Sequence, residues 1–92
     1  IAGGGVNYGG AEAALSDFGR PHGLPVAATP AGKGSLGWND PANTGAIGVT
    51  GSAAANALAA QADLVLAIGT RLQDFTTGSR ALFGKALLVA LN

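Results

Sequence analysis

The sequence has no cysteine and no methionine, and it carries only five acidic and five basic residues. Without cysteine there is no disulfide framework and no thiolate metal site, a composition compatible with a reducing compartment. A net charge of zero argues against nucleic-acid binding, because nothing here neutralises a series of phosphates. No apolar run approaches the roughly 18 residues of a membrane-spanning helix. Aromatic residues are limited to Tyr8, Phe18, Trp38, Phe75 and Phe83. The apolar content is therefore largely alanine, which buries little area per residue, and 92 residues stand near the size at which a lone core is marginal. Catalytic constellations are missing too. Glu12, Asp17, Asp40, Asp63 and Asp74 are scattered and read as caps or solvated surface, and no Ser/His/Asp set has recognisable spacing. His22, with no second histidine or cysteine near it, reads as a solvent-exposed loop residue rather than a ligand.

What the sequence does have is glycine, 16 residues placed mostly between apolar runs, where turns and close approaches need it. The organising stretch is Leu64–Gly78. Its apolar run Leu64–Ile68 reads as a strand buried on both faces, the central strand of a parallel sheet. Gly69 then turns the chain at the strand's carboxyl end, where open α/β sheets bind ligands. In the loop that follows, Arg71 and Asp74 are spaced to pair at i,i+3, worth roughly 0.3 kcal/mol if exposed.

Around that stretch the chain alternates. Ile1–Ala2 reads as the tail of a first strand and Gly3–Gly5 as its exit turn, serving either tight strand-to-helix packing or approach to a phosphate. The turn fails the G-x-G-x-x-G pattern, because Tyr8 occupies the last glycine position. A helix is expected over Ala11–Phe18 with Ala14, Leu15 and Phe18 on one face, ended by Gly19 and Pro21. Pro25–Ala28 reads as a second strand, and Thr29–Asn43 as irregular. Lys33 suggests a P-loop, but Ala27 and Gly34 occupy positions that motif assigns to glycine and Ser/Thr; a solvated lysine is the plainer reading. Trp38 is expected to cover a core or an interface rather than to stack on a base. Thr44–Gly51 leads into a helix from Ala53 to Gln61 with Ser52 as N-cap, and its glycine-rich entrance offers backbone N–H groups to an anion. Ser79–Phe83 suggests a helical turn, Gly84-Lys85 a short connection and Leu87–Leu91 another buried strand. The expected fold is α/β with a doubly wound, Rossmann-like parallel sheet. The ends look cut, the first inside a strand and the last where another strand would end, so the chain reads as a segment of a longer protein.

The runs GGGV, GAEAAL, PVAATPAGKGSLGW, GAIGVTG and AANALAAQADLVLAIGTRLQDFTTGS together resemble the central domain of thiamine-diphosphate-dependent enzymes. The likeness spans Ile1–Phe83, its most specific part is Gly69–Ser79, and it points to the trihydroxycyclohexanedione hydrolases of myo-inositol breakdown. It implies the middle of three α/β domains in a cytoplasmic homodimer or homotetramer whose partners are its own other domains and subunits. Thiamine diphosphate and Mg²⁺ would be held by the other domains, outside this segment. The implied reaction is hydrolytic ring opening of a cyclic 1,2-dione, the thiamine attacking a substrate carbonyl, and no catalytic residue would lie in this chain.

In the more distant acetohydroxyacid synthases the middle domain binds FAD. By resemblance, the contact positions fall at Gly3, Gly4 and Gly5; at Thr29 and Pro30; at Gly48, Val49, Thr50 and Gly51; and at Gly69, Thr70, Arg71, Gln73, Phe75 and Thr76. Phe75 stands where the flavin enzymes have a basic residue and Gln73 where they have an acidic one, which weighs against FAD or another nucleotide here, although Arg71 keeps a fork for phosphate. An FAD-binding synthase relative and a free-standing nucleotide-binding module are the competing readings.

Overall fold

A computed structural model describes residues 1–48, 51–70 and 86–91. The readings made at Val49, Thr50, the loop from Arg71 with its Asp74 partner, Ser79–Phe83 and Gly84-Lys85 lie outside these residues.

Two parallel strand pairs form the sheet. β1 (Val26–Ala28) pairs with β2 (Asn43–Ala46), and β3 (Leu64–Ile68) pairs with β4 (Leu87–Leu91) in unbroken register from Leu64–Leu87 to Ile68–Leu91. Residues 1–3 join the pairs, Ala2 bridging in parallel to both Ala28 and Ile68. The ladder there is well made: Ala2 N donates to Ala27 O at 2.8 Å, Thr29 N to Ala2 O at 3.0 Å, Ile68 N to Ile1 O at 2.8 Å and Gly3 N to Ile68 O at 2.8 Å. Among the described residues the lateral order is β2, β1, residues 1–3, β3, β4. The expected central strand, Leu64–Ile68, therefore lies one place off centre, and the middle belongs to the short first segment.

Helices pack on both faces. α1 (Gly4–Tyr8) and α2 (Glu12–Gly19) share a core of Ala2, Val6, Leu15, Val26 and Leu36. On the opposite face, α3 (Ala53–Gln61) sets Ala55 and Ala59 against Ala27, Ile47, Val65 and Ala67. Neighbouring residues of one strand thus serve opposite cores, as the period of two requires. The small side chains of α3 let its backbone come close to the sheet. Ser52 caps it as expected, its Oγ accepting from Ala55 N at 3.1 Å.

Several expectations need correction. α2 runs one residue later than read, and it buries Leu15 and Gly19 while Ala14 is exposed and Phe18 is 47% exposed. α1 forms where only a glycine turn was expected, and β2 forms over an Asn-Thr-Gly-Ala run with little strand propensity. β3 is buried on the α3 face alone, and β4 is an exposed edge, with Leu87 at 67% and Leu91 at 65% exposure. Hydrophobicity marks a residue as fit for burial, but a covering layer must also be present.

The connection from β1 to β2 is ordered without being a long helix. Thr29 Oγ1 accepts from Gly32 N at 3.1 Å and so caps the 3₁₀ turn Pro30–Gly32. A Cβ on Gly32 would collide with Ala2 O, so only glycine fits between this turn and the first segment. Buried Ser35 donates to Gly32 O at 2.5 Å, and Asn7 Nδ2 reaches Ala31 O and Lys33 O at 3.4 and 3.3 Å. Trp38 is 91% exposed, so it does not cover a core within these residues.

Asp40 ties this connection to α2. Its carboxylate accepts from Ala42 N at 2.9 Å, Ser16 Oγ at 2.9 Å and Arg20 Nη2 at 3.2 Å. The Ala42 N–H, then the Ser16 hydroxyl, and last the Arg20 guanidinium hold its pKa below the ordinary carboxylate value of 3.8, against the opposing effect of desolvation. A lowered folded-state pKa stabilises the fold above the unfolded value, and that stabilisation is lost as pH falls through the folded one. Acid should therefore loosen the α2 contact below about pH 4. Asp40→Asn should reduce the drop in thermal midpoint between pH 7 and pH 3; an unchanged drop would assign the acid sensitivity elsewhere.

Candidate functional site

The strands are parallel, so their carboxyl ends share one edge, and the site residues read from the sequence gather along it. Gly4 and Gly5 follow the first segment, Thr29 follows β1, Gly48 and Gly51 follow β2, and Gly69 and Thr70 follow β3. Thr50, Arg71, Gln73 and Phe75 lie outside the described residues.

The glycine turn and Gly69 are in direct contact. Gly5 N donates to Gly69 O at 2.9 Å, and Gly69 N to Leu91 O at 2.8 Å. Gly69 adopts φ +63°, and a Cβ there would stand 2.8 Å from both Gly5 Cα and Val6 N. A Cβ on Gly3 would strike Gly69 O and Thr70 Cβ. Two backbone segments touch with no room for a side chain, so packing alone accounts for glycine at these positions.

At the end of β2 the N–H groups are likewise committed. Gly48 N donates to Asn56 Oδ1 at 3.0 Å, while Asn56 Nδ2 returns a bond to Gly48 O at 2.9 Å. Gly51 N donates to Gly48 O at 2.9 Å and Ser52 N to Ala46 O at 2.9 Å. The expectation of free donors at this entrance is therefore not met at Gly48, Gly51 or Ser52. The cause is Asn56, one turn into α3, whose side-chain amide folds back and clamps the loop. Its polar side chain in an otherwise alanine-rich helix was the available signal, and the sequence reading passed over it.

Among the described site residues no charged side chain is present; Lys33, four residues beyond Thr29, is exposed. No group of three or more His, Asp or Glu among the described residues could hold a metal ion. The described residues therefore do not fit a magnesium–diphosphate site, and no step of thiamine chemistry is assigned to them. Among the described residues no helix is long and apolar enough to cross a membrane.

Residues 1–91 match the family model described as "Thiamine pyrophosphate enzyme, central domain". The chain is 47% identical over 92 residues, its whole length, to the 3D-(3,5/4)-trihydroxycyclohexane-1,2-dione hydrolase of Geobacillus thermodenitrificans (strain NG80-2), and spans 14% of that relative. It is 52% identical over 83 residues, 90% of its length, to the protein of the same name from Clostridium botulinum (strain Alaska E43 / Type E3), and spans 13% of it. The Bacillus cereus (strain AH820) protein of that name is 47% identical over 92 residues, again with 14% of the relative covered. No solved structure matches. The chain belongs to the central-domain family of thiamine pyrophosphate enzymes.

Proposed function

We propose that this chain is the middle domain of a thiamine-diphosphate-dependent hydrolase that opens the ring of 3D-(3,5/4)-trihydroxycyclohexane-1,2-dione in myo-inositol breakdown. The observation that carries the reading is identity of 47% along all 92 residues to a relative of that name. In such an enzyme thiamine diphosphate and Mg²⁺ would be bound by other domains of a cytoplasmic homo-oligomer. This domain would serve as scaffold and interface. The lateral order β2, β1, residues 1–3, β3, β4, with helices on both faces, supports a Rossmann-like, doubly wound domain. The committed N–H groups of Gly5, Gly48 and Gly51 support a cleft that serves packing rather than FAD.

The test is mass spectrometry of the cofactors released on denaturing the full-length protein that carries this chain, together with assay of ring opening. Thiamine diphosphate near one per chain, no FAD, and hydrolysis of the dione are expected. Stoichiometric FAD would turn the Gly69–Thr76 edge into a cofactor site. A folded protein with neither cofactor would overturn the reading.

A further inference from the structure

We propose that Asn43 and Ser52 close the outer edge of β2 against strand addition, so that a second copy of this chain cannot extend the sheet there. The device lies wholly within the described residues and is independent of the reaction proposed for the parent enzyme.

An edge strand presents unpaired N–H and C=O groups on which another chain can template. β2 is such an edge, since among the described residues it pairs with β1 alone. Charged side chains and proline are the usual guards of an edge, and the run Asn-Thr-Gly-Ala contains neither. Its backbone groups are engaged instead. The rungs to β1 include Val26 N to Ala42 O and Ile47 N to Ala28 O. Groups left over from that ladder go to side chains and to neighbouring loops. Gly45 N donates to Asn43 Oδ1 at 2.9 Å, and Asn43 N donates to Asp40 O at 3.0 Å. Thr44 O accepts from Ser52 Oγ at 2.9 Å, and Ala46 O accepts from Ser52 N at 2.9 Å.

Shape reinforces the block. The register slips between the pairs Val26–Asn43 and Ala27–Gly45, which leaves Thr44 as the extra residue of a bulge, a feature that bends a strand and ends its pairing. Gly45 has φ +99°, and a Cβ on it would stand 3.1 Å from Ser52 Oγ. The edge is therefore bent, and Ser52 sits against it. The same serine caps α3 by accepting from Ala55 N, while its hydroxyl and amide hydrogens hold two carbonyls of β2. A straight incoming strand finds those carbonyls already satisfied and its ladder interrupted.

Ser52→Ala and Asn43→Ala in the full-length protein should each add a species of about twice the parent's mass in sedimentation velocity as concentration is raised. Hydrogen exchange at the Ala46 amide should slow as that species forms. Ser52→Thr keeps the hydroxyl and should keep the parent's mass. Ala57→Gly supplies the control. It weakens α3 at an exposed position by an amount similar to loss of a cap but leaves the edge bonds in place. Should Ser52→Ala fail to fold, Asn43→Ala, whose helix cap is intact, carries the test alone. The parent's mass in the folded alanine variants, extra mass without added protection at Ala46, or the same association in Ala57→Gly would overturn the block.

Discussion

Gly69→Ala is expected to lower the opening free energy of the domain by about 2–5 kcal/mol. Its left-handed φ of +63° costs an L-residue roughly 1–2 kcal/mol. The new methyl would also stand 2.8 Å from Gly5 Cα and Val6 N, and moving that backbone adds about 1–3 kcal/mol, by analogy with overpacked cores. Against a total stability on the order of 5–15 kcal/mol, such a loss is serious. Gly10 provides the control, with φ +65° but nothing within 4 Å of where a Cβ would stand. Gly10→Ala should show the conformational cost alone, about 1–2 kcal/mol. Native-state hydrogen exchange of the β3 amides in the full-length protein reads both variants. Equal effects would mean that the Gly5–Gly69 contact contributes nothing and that the glycine turn needs another explanation.

The second large effect is expected inside β3. Ala67 is fully buried beneath α3, and its in-register neighbour on β4, Ala90, is exposed on the same face. Ala67→Leu should cost about 1–3 kcal/mol, because the added carbons must push aside a helix that approaches through Ala55 and Ala59. Ala90→Leu meets no such barrier and should stay within about 0.5 kcal/mol of the parent. The same exchange measurement compares them. A tolerated leucine at position 67 would show that α3 packs loosely and that its alanines are not there for close approach.

Sequence reading found the elements whose cause is local. The run Leu64–Ile68 and the cap at Ser52 are written in neighbouring residues, and both appear within the stated bounds. α1, with Gly4 and Gly5 in its first turn, and β2, with Asn43 and Gly45, oppose their own propensities and form through tertiary contacts. Val6 is buried against Leu15 and Leu36, and β2 is held to β1 by the ladder and by Thr44 Oγ1 donating to Val26 O at 3.0 Å. Leu87–Leu91 misled in the other direction, since its composition is that of a covered strand while its surroundings leave it open. At the candidate site the glycines were visible but their purpose was not. Whether Gly3–Gly5 faces a phosphate or another backbone depends on Gly69, more than sixty residues away, and no local pattern carries that information.

The short segment at the centre of the sheet also sets the order in which the sheet can be completed. Among the described residues, Ile1–Gly3 provides the hydrogen bonds that join the two strand pairs, including one from the Ile1 nitrogen to Leu66 O across 65 positions of sequence. On a ribosome these residues emerge long before their β3 partners, so for the synthesis of some sixty residues their β3-facing edge has nothing to pair with. Such distant closure makes assembly slow relative to helix formation, and an unpaired edge is open to other chains meanwhile. Within these residues, vectorial synthesis therefore leaves the central segment paired on one side only until β3 has been made.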